Sequence, residues 1–506
     1  MNIKQAKEEI RNTLKAYLTR DELGNYLIPT VRQRPVLLMG PPGVGKTQIM
    51  EQIAAETGVG LVSYTITHHT RQSAVGLPFI EHRVYDGREV AVTEYTMSEI
   101  LASVYHLMEK TGLKEGILFL DEINCVSETL APMMLQFLQC KTFGNQALPE
   151  GWLIVAAGNP PEYNRSVREF DVVTLDRVKR IDVEANFGVW KEYARKKGVH
   201  GAVVSYLDIR KENFYKVETT VDGLRFATAR GWEDLSELIC AYEKLGLQVD
   251  RTVVEQYIQM PAIARDFANY LMLYYKYQKT YHVDDILRGE WEIITESELR
   301  AAAFDERLSV LGLLISRLND SAGRVRRQDE LTERLYEVLL SCRDTIAVNG
   351  DPQTVLAAEI TRRQAALQLE KDAGRLDKSR RNAEMRLIQT LEAYRSGLET
   401  NRVPTGAAVT VLKTWFGEET ADREKLAEAA GGEFDNAFRF LERTFGDSQE
   451  LVMFVTELTA GADTSWFIEN FGCDAYYRHN KELLFNDARR RLTAEITAAR
   501  KTASDL

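Results

Sequence analysis

The sequence predicts an α/β fold in its first third, an αβα sandwich around a mostly parallel sheet, followed by regions that are helical throughout. Short apolar runs alternate with amphipathic helical patterns over residues 1–190, as repeated βαβ units require. Beyond about residue 190 only helical patterns follow. The net charge of −11 and the 44% of hydrophobic residues are ordinary for a globular chain of 506 residues.

The predicted sheet is built from runs that are apolar on consecutive residues. Strands that helices cover on both faces show this pattern, whereas half-exposed strands alternate between apolar and polar residues. The runs are 35–39, 61–67, 116–120, 152–157 and 178–183. We therefore predict five buried strands.

The sequence divides into an αβα domain over residues 1–190 with an N-terminal helix, a helical lid over 191–290, and a helical C-terminal domain over 291–506. The longest helical pattern runs from about residue 355 to 394. Leu387 and Tyr394 lie on one of its seven-residue rows, which Arg380 interrupts, and Gly374 lies inside the helical pattern. We predict a possible coiled-coil segment over about 355–395.

A glycine-rich motif follows the first predicted strand and precedes a helical pattern. It matches G-x-x-x-x-G-K-[ST] in full. In such a strand–loop–helix unit, backbone N–H groups and the helix N-terminus bind phosphate oxygens. The lysine then reaches the β- and γ-phosphates and the hydroxyl binds Mg²⁺. We predict an ATP and Mg²⁺ site made of Gly40, Pro41, Pro42, Gly43, Val44, Gly45, Lys46 and Thr47.

Polar side chains follow two other predicted strands. Asp121 and Glu122 end the run that begins at residue 116, and Asn159 follows the run at 152–157. Enzymes with this phosphate-binding loop place an acid on Mg²⁺ at the end of a neighbouring strand, which predicts that role for Asp121. Glu122 can act as general base on the attacking water, and Asn159 can hold that water or begin a turn.

With these motifs in order, the chain resembles the MoxR family of AAA+ ATPases, in the helix-2-insert clade, over about residues 30–240. The resemblance is carried by GPPGVGKT, LFLDEIN, VAAGNPPEY, LDRVKRID and TARGWEDLS, at residues 40–47, 118–124, 155–163, 175–182 and 228–236. It implies that Asn159 is the sensor-1 residue, that Arg230 is the sensor-2 residue at the start of a lid helix, and that Arg177 is the arginine finger. Arg168 and Arg180 remain alternatives for the finger.

Two hairpins are also predicted. Asp86-Gly87 separates β-rich runs within residues 76–95, a strong signal for a type I′ turn. The resemblance implies that this hairpin is the helix-2 insert, and that residues 143–149 form a pre-sensor-1 hairpin. In ring-shaped relatives both face the central pore. The insert is either a lever that touches a client protein or a hairpin packed on its own domain or a neighbouring subunit.

The resemblance implies an ATPase that works at subunit interfaces of a ring, most often a hexamer, and remodels or matures a partner protein. A protein with a von Willebrand factor A domain is the first candidate partner. The alternatives are a slowly hydrolysing, nucleotide-gated scaffold or sensor, and a nucleic-acid motor. Net acidity counts against nucleic acid. The sequence has no run of roughly 20 apolar residues that could span a bilayer, and we expect a cytoplasmic protein.

Overall fold

The computed structural model describes residues 1–68, 72, 74, 76–144, 146–163, 167, 170–220, 223–347 and 351–481. The chain forms two compact units. The first comprises Met1–Val189, Thr228–Arg230 and Ala357–Glu392. The second comprises Trp190–Ala227, Gly231–Leu356 and Ala393–Leu506. Residues 357–392, which the sequence pattern assigns to the C-terminal helical part, thus belong to the same unit as the sheet.

The secondary structure alternates strands and helices first and is then mostly helical. The strands are β1 Val36–Met39, β2 Gly60–Thr65, β3 Pro78–Tyr85, β4 Arg88–Tyr95, β5 Gly116–Asp121, β6 Thr142–Phe143, β7 Gln146–Ala147, β8 Trp152–Gly158, β9 Lys179–Asp182, β10 Lys216–Thr220 and β11 Gly223–Ala227. The α-helices are α1 Ile3–Leu18, α2 Lys46–Thr57, α3 Glu99–Thr111, α4 Ala131–Cys140, α5 Val172–Leu175, α6 Phe187–Lys197, α7 Gly201–Ile209, α8 Ala229–Leu245, α9 Arg251–Tyr257, α10 Pro261–Thr280, α11 Val283–Arg288, α12 Ile293–Ala301, α13 Phe304–Ala347, α14 Pro352–Asp372, α15 Lys378–Thr400, α16 Thr405–Phe445, α17 Gln449–Ala460 and α18 Ala462–Phe471.

The first unit is built on a five-stranded parallel sheet of order β2-β5-β8-β1-β9. All five predicted strands are present, but the edge strands β2 and β9 are only partly buried. Successive residues of one strand enter different apolar layers, as the two-residue period of a strand dictates. Leu37 packs in one layer with α3 and α4, and Leu38 packs in the other with α1 and α2. The predicted αβα sandwich with a parallel sheet is therefore confirmed.

Both predicted hairpins of the first unit are present. In β3–β4 the register pairs Tyr85 with Arg88, which leaves Asp86-Gly87 as a two-residue turn. Both turn residues have positive φ, 55° and 77°, as a type I′ turn requires. The shorter hairpin β6–β7 pairs Phe143 with Gln146.

The predicted long helix over 355–394 is divided in two. Helices α14 and α15 are separated by a non-helical segment, residues 373–377, in which Gly374 has a φ of +68°. A left-handed glycine is a common way to end a helix, so the glycine inside the predicted helical pattern marks the end of the first helix.

The second unit is mainly helical, with α13 and α16 the longest helices. Its interior is aromatic: Phe434 stacks on Phe467, and Phe438 meets Phe454 edge to face. The expectation that strands stop after about residue 190 was wrong. Strands β10 and β11, at 216–220 and 223–227, form an antiparallel pair. Both strands are largely exposed, so they lack the run of consecutive apolar residues from which the buried strands were predicted. Among the described residues, no helix is long and apolar enough to cross a membrane.

Candidate functional site

The predicted site residues of the first unit meet at one edge of the parallel sheet. Strand β1 leads into the glycine-rich segment 40–45, and β5 and β8 end at Asp121 and Gly158. These three strands are neighbours and run in the same direction, so their carboxyl ends lie side by side. Ligands of open α/β sheets bind outside the carboxyl ends of the strands.

Lys46 lies at the centre of this cluster. Its ammonium nitrogen Nζ donates to the carbonyl oxygens of Gly40 (2.8 Å) and Pro41 (2.9 Å) and to Asn159 Oδ1 (2.8 Å). The side chain is buried, and this burial lowers the pKa of Lys46 to about 8, although the nearby Asp121 carboxylate acts in the opposite direction. A buried cation thus faces the start of α2, where the helix dipole also attracts anions.

Thr47 and Asp121 form an adjacent pair of oxygen ligands. The Thr47 hydroxyl donates to Asp121 Oδ2 at 2.9 Å. Hydroxyl and carboxylate oxygens are the ligands that Mg²⁺ accepts, and it usually keeps several waters and phosphate oxygens besides one or two protein groups. The two residues therefore fit a magnesium ion.

Glu122 has a left-handed backbone, with a φ of 56°, which is uncommon for a residue other than glycine. Its N–H donates to Asp121 Oδ1 at 2.9 Å, and its carboxylate accepts from the Thr67 hydroxyl at 2.7 Å. Thr67 was not selected from the sequence. It ends the predicted strand 61–67 beside the strand that carries the acids, and that adjacency was the available signal.

Both the side chain and the backbone of Asn159 accept hydrogen bonds. While its Oδ1 accepts from Lys46, its carbonyl oxygen accepts from Asn124 Nδ2 at 2.8 Å. Asn124 is 2% exposed. Asn124 is part of the motif at 118–124, but the sequence pattern assigns no role to it.

Arg230 reaches the same cluster from the start of α8. A Cβ at Gly43, which has a φ of +75°, would stand 3.3 Å from the Cβ of Arg230. The positive φ of Gly43 favours glycine, and a side chain there would also crowd Arg230. The charge of Arg230 contributes to the lowered pKa of Lys46, after the larger effect of burial.

Arg177 lies apart from these contacts. It is exposed, and its guanidinium donates to the Gln139 side chain on α4. Within the described ranges, Arg177 forms no hydrogen bond or ion pair with Lys46, Asp121 or Glu122. Arg180 on β9 is also exposed and pairs with Asp182 at 2.8 Å. Arg168, the other alternative, lies outside the described residues.

Comparison with known proteins finds similarity in this region. Residues 36–176 match the model of the ATPase family associated with various cellular activities (AAA). Over 113 residues, 22% of this chain, the sequence is 31% identical to the ATP-dependent protease ATPase subunit HslU of Sinorhizobium fredii (strain NBRC 101917 / NGR234). The chain spans about a quarter (26%) of that relative's length.

Two solved structures of mutant RuvB from Thermotoga maritima are also similar. Each is 15% identical to this chain and is covered over 69% of its own length. They cover 50% and 51% of this chain, with TM-scores of 0.29 and 0.28. The region that matches the AAA family model contains the glycine-rich loop and the acids at 121 and 122.

Proposed function

We propose that this chain, whose residues 36–176 are an AAA ATPase domain, is a MoxR-type motor that hydrolyses ATP at subunit interfaces and remodels a partner protein. The observation that carries the proposal is the partly buried hydrogen bond from Lys46 Nζ to Asn159 Oδ1 (2.8 Å), next to the Thr47–Asp121 pair. It brings the residues expected to bind phosphate, metal and water into one cluster.

In the proposed reaction, the backbone N–H groups of residues 40–45 bind the phosphate chain and Lys46 neutralises its β- and γ-phosphates. Thr47 and Asp121 hold Mg²⁺, which when bound neutralises charge that develops on the phosphate oxygens. Glu122 accepts the proton of the attacking water, and Asn159 orients that water through its amide. The Thr67 hydroxyl fixes the carboxylate of Glu122 from the other side.

Arg230 and Arg177 supply positive charge from two different directions. Arg230, beside the loop of its own subunit, is proposed to contact the γ-phosphate. Arg177 is exposed, and we propose that it serves the site of a neighbouring subunit as the arginine finger. Catalysis in trans requires a ring or a similar closed assembly, and a hexamer is the proposed form.

The output of the motor is proposed to pass through the hairpin β3–β4, the helix-2 insert. Several large apolar side chains on its two strands are exposed to solvent: Phe79, Ile80, Val84, Tyr85 and Val90. Exposed apolar patches of this kind mark sites of protein contact. The proposed client is a protein, and one with a von Willebrand factor A domain is the first candidate.

The proposal is tested with Lys46→Ala in the full chain. Removal of the cation that faces the β- and γ-phosphates is expected to abolish tight binding of Mg·ATP in calorimetry, and with it steady-state ATP hydrolysis. Lys15→Ala, at an exposed position of α1, is the matched control and keeps both. Unimpaired hydrolysis in Lys46→Ala would contradict the assigned site.

The remodelling step has a separate test. Phe79→Ser with Tyr85→Ser is expected to leave basal ATP hydrolysis intact but to abolish its stimulation by a purified A-domain partner. Glu89→Gln on the same hairpin is the control and keeps the stimulation. If ATP binds tightly and the partner never changes the turnover of the parent protein, the nucleotide-gated scaffold becomes the better description.

A further inference from the structure

A helical hairpin from the C-terminal half of the sequence belongs to the unit that contains the ATPase domain. It comprises residues 357–392, most of α14 and α15. Ion pairs tie the two helices together: Arg363 to Glu384 (3.0 Å) and Arg380 to Glu370 (2.6 Å). The hairpin is therefore an ordered element with its own internal contacts.

The turn of this hairpin binds strand β2 at the edge of the sheet. An edge strand leaves backbone groups without a partner in the sheet. Here the N–H of Leu61 donates to the carbonyl oxygen of Ala373 at 3.1 Å, and Ala373 is fully buried. A Cβ at Gly374 would lie 2.8 Å from the carbonyl oxygen of Leu61, so this approach requires glycine.

Two side-chain contacts flank this backbone bond. Arg375 donates to the carbonyl oxygen of Gly58 at 2.9 Å. Lys110 on α3 pairs with Asp372 at 3.0 Å, and its hydrogen bond holds the pKa of that carboxyl below its ordinary value. The turn thus contacts both ends of the segment 58–61.

The segment 58–61 connects two elements that reach the nucleotide site. It follows α2, which begins with Lys46 and Thr47 and whose 12 residues span about 18 Å. It continues into β2, and just after that strand Thr67 hydrogen-bonds Glu122. A change in the position or order of the phosphate-site residues can therefore reach the segment 58–61 through two parts of the chain, α2 and β2.

We propose that residues 372–375 and the segment 58–61 form an internal docking surface that couples ATP binding to the C-terminal helices. This inference rests on the ATP site of the proposed function. ATP orders the N-terminus of α2. Fixing the segment 58–61, at the C-terminal end of that helix, then costs less conformational entropy, so the hairpin turn binds this segment more tightly. Helices α14 and α15 continue beyond the hairpin to Pro352 and Thr400, in the second unit, and carry the change onward.

Hydrogen–deuterium exchange on the full-length chain, with and without Mg·ATP, tests this coupling. In the parent protein, Mg·ATP is expected to slow the exchange of backbone amides in two segments, 40–47 and 373–392. Binding at one of two coupled sites typically changes the affinity of the other about 5-fold or more. We therefore expect exchange in residues 373–392 to slow by about that factor. By reciprocity, weaker hairpin docking lowers the affinity for ATP by the same factor.

The variant Lys110→Gln with Arg375→Gln removes both side-chain contacts without opening a cavity in the core. It is expected to retain protection of 40–47, lose protection of 373–392, and bind ATP about 5-fold more weakly. Arg380→Gln, which breaks an exposed ion pair inside the hairpin, is the control and behaves as the parent.

The outcomes separate the inference from the function on which it rests. Protection of 40–47 without protection of 373–392 in the parent protein overturns the coupling and leaves the ATP site standing. Protection of neither segment overturns the proposed ATP binding and the coupling with it. Because these results come from the parent protein, the inference stays falsifiable even if the double variant fails to fold.

Discussion

The surroundings of Lys46 and Arg177, the two cations central to the proposed mechanism, differ sharply. Lys46 is 8% exposed, and its ammonium group donates three hydrogen bonds. Arg177 is exposed, and the hydrogen bond of its guanidinium goes to the side chain of Gln139. The first cation is fixed in place by its own chain, while the second is held loosely at the surface.

This difference is what a shared active site requires. A group that acts within its own subunit gains from burial and preorganisation, because a fixed dipole or charge costs no reorganisation during the reaction. A group that acts on a neighbouring subunit must stay at the surface until the neighbour arrives. The predictions below test this division, beginning with the largest expected effect.

Substitution of the exposed cation, Arg177, is expected to change the rate of ATP hydrolysis the most. An arginine supplied in trans accelerates phosphoryl transfer by about 10³–10⁵-fold, so Arg177→Ala is expected to lose about that factor in ATP turnover while keeping ATP affinity. Mixing Arg177→Ala with Glu122→Gln is expected to restore part of the activity, since some interfaces then pair an intact base with an intact finger. The restored activity is measured as steady-state ATP hydrolysis of the mixture.

Subunit exchange in the mixture must be shown by size measurement of labelled subunits. With exchange shown and no activity regained, Arg177 acts within its own subunit or not at all. An Arg177→Ala protein that hydrolyses ATP at the parent rate would remove the basis for interface catalysis.

The general base gives the next largest effect. Glu122→Gln keeps the shape of the side chain but cannot accept a proton, and general-base catalysis is worth about 10²–10⁴-fold. Turnover is therefore expected to fall by about that factor, while ATP binds as in the parent, because Thr47 and Asp121 still hold the metal. Comparing calorimetric affinity with steady-state turnover separates the two. Equal turnover in variant and parent would show that another group takes the proton.

The burial of Lys46 predicts a pH dependence of ATP affinity. Its pKa is lowered from 10.5 to about 8, so the ammonium loses its proton as the pH rises past 8. Since the phosphates bind the charged form, affinity is expected to fall about tenfold for each pH unit above that pKa. Affinity is measured between about pH 7.5 and 9.5, above the phosphate pKa of about 6.

Stability changes in the opposite direction and serves as the control. Between pH 8 and 10.5 the unfolded chain binds more protons at Lys46 than the folded chain does, so the free energy of unfolding gains from this group as the pH rises. Titration of Lys46 therefore does not itself promote unfolding, and thermal unfolding at each pH checks that the protein remains folded. Lys46→Arg keeps its charge over the whole range, and its affinity is expected to be flat. A flat affinity in the parent would contradict the role of the lysine charge.

The sequence predicted those parts of the molecule that local patterns encode. The glycine-rich loop, the acids after β5 and the Asp86-Gly87 turn each occupy a few consecutive residues with a fixed conformational demand. The five strands of the parallel sheet followed from apolar runs. Since the carboxyl ends of neighbouring parallel strands meet, the position of the cluster followed as well.

The rest depends on contacts between distant residues, which one sequence does not display. Thr67 meets Glu122 across 55 positions, and Leu61 pairs with Ala373 from the C-terminal half. Gly374 was visible in the sequence as a glycine inside a helical pattern. Its purpose, a close approach to the edge strand of the sheet, became visible only when the two segments were brought together.

Arg180→Ala has the smallest expected effect and sharpens the comparison of the two cations. Arg180 is exposed like Arg177, but its guanidinium is already paired with Asp182 at 2.8 Å on the same edge strand. An exposed ion pair contributes about 0–1 kcal/mol to stability, so its loss is expected to leave both folding and ATP turnover close to those of the parent. Thermal unfolding and steady-state hydrolysis check this. If Arg180→Ala instead loses about 10³-fold or more in turnover and is rescued in mixtures with Glu122→Gln, then Arg180 is the finger. In that case pairing with an acid of the same chain would not prevent an arginine from serving a neighbour, and exposure alone would be the feature that the two arginines share.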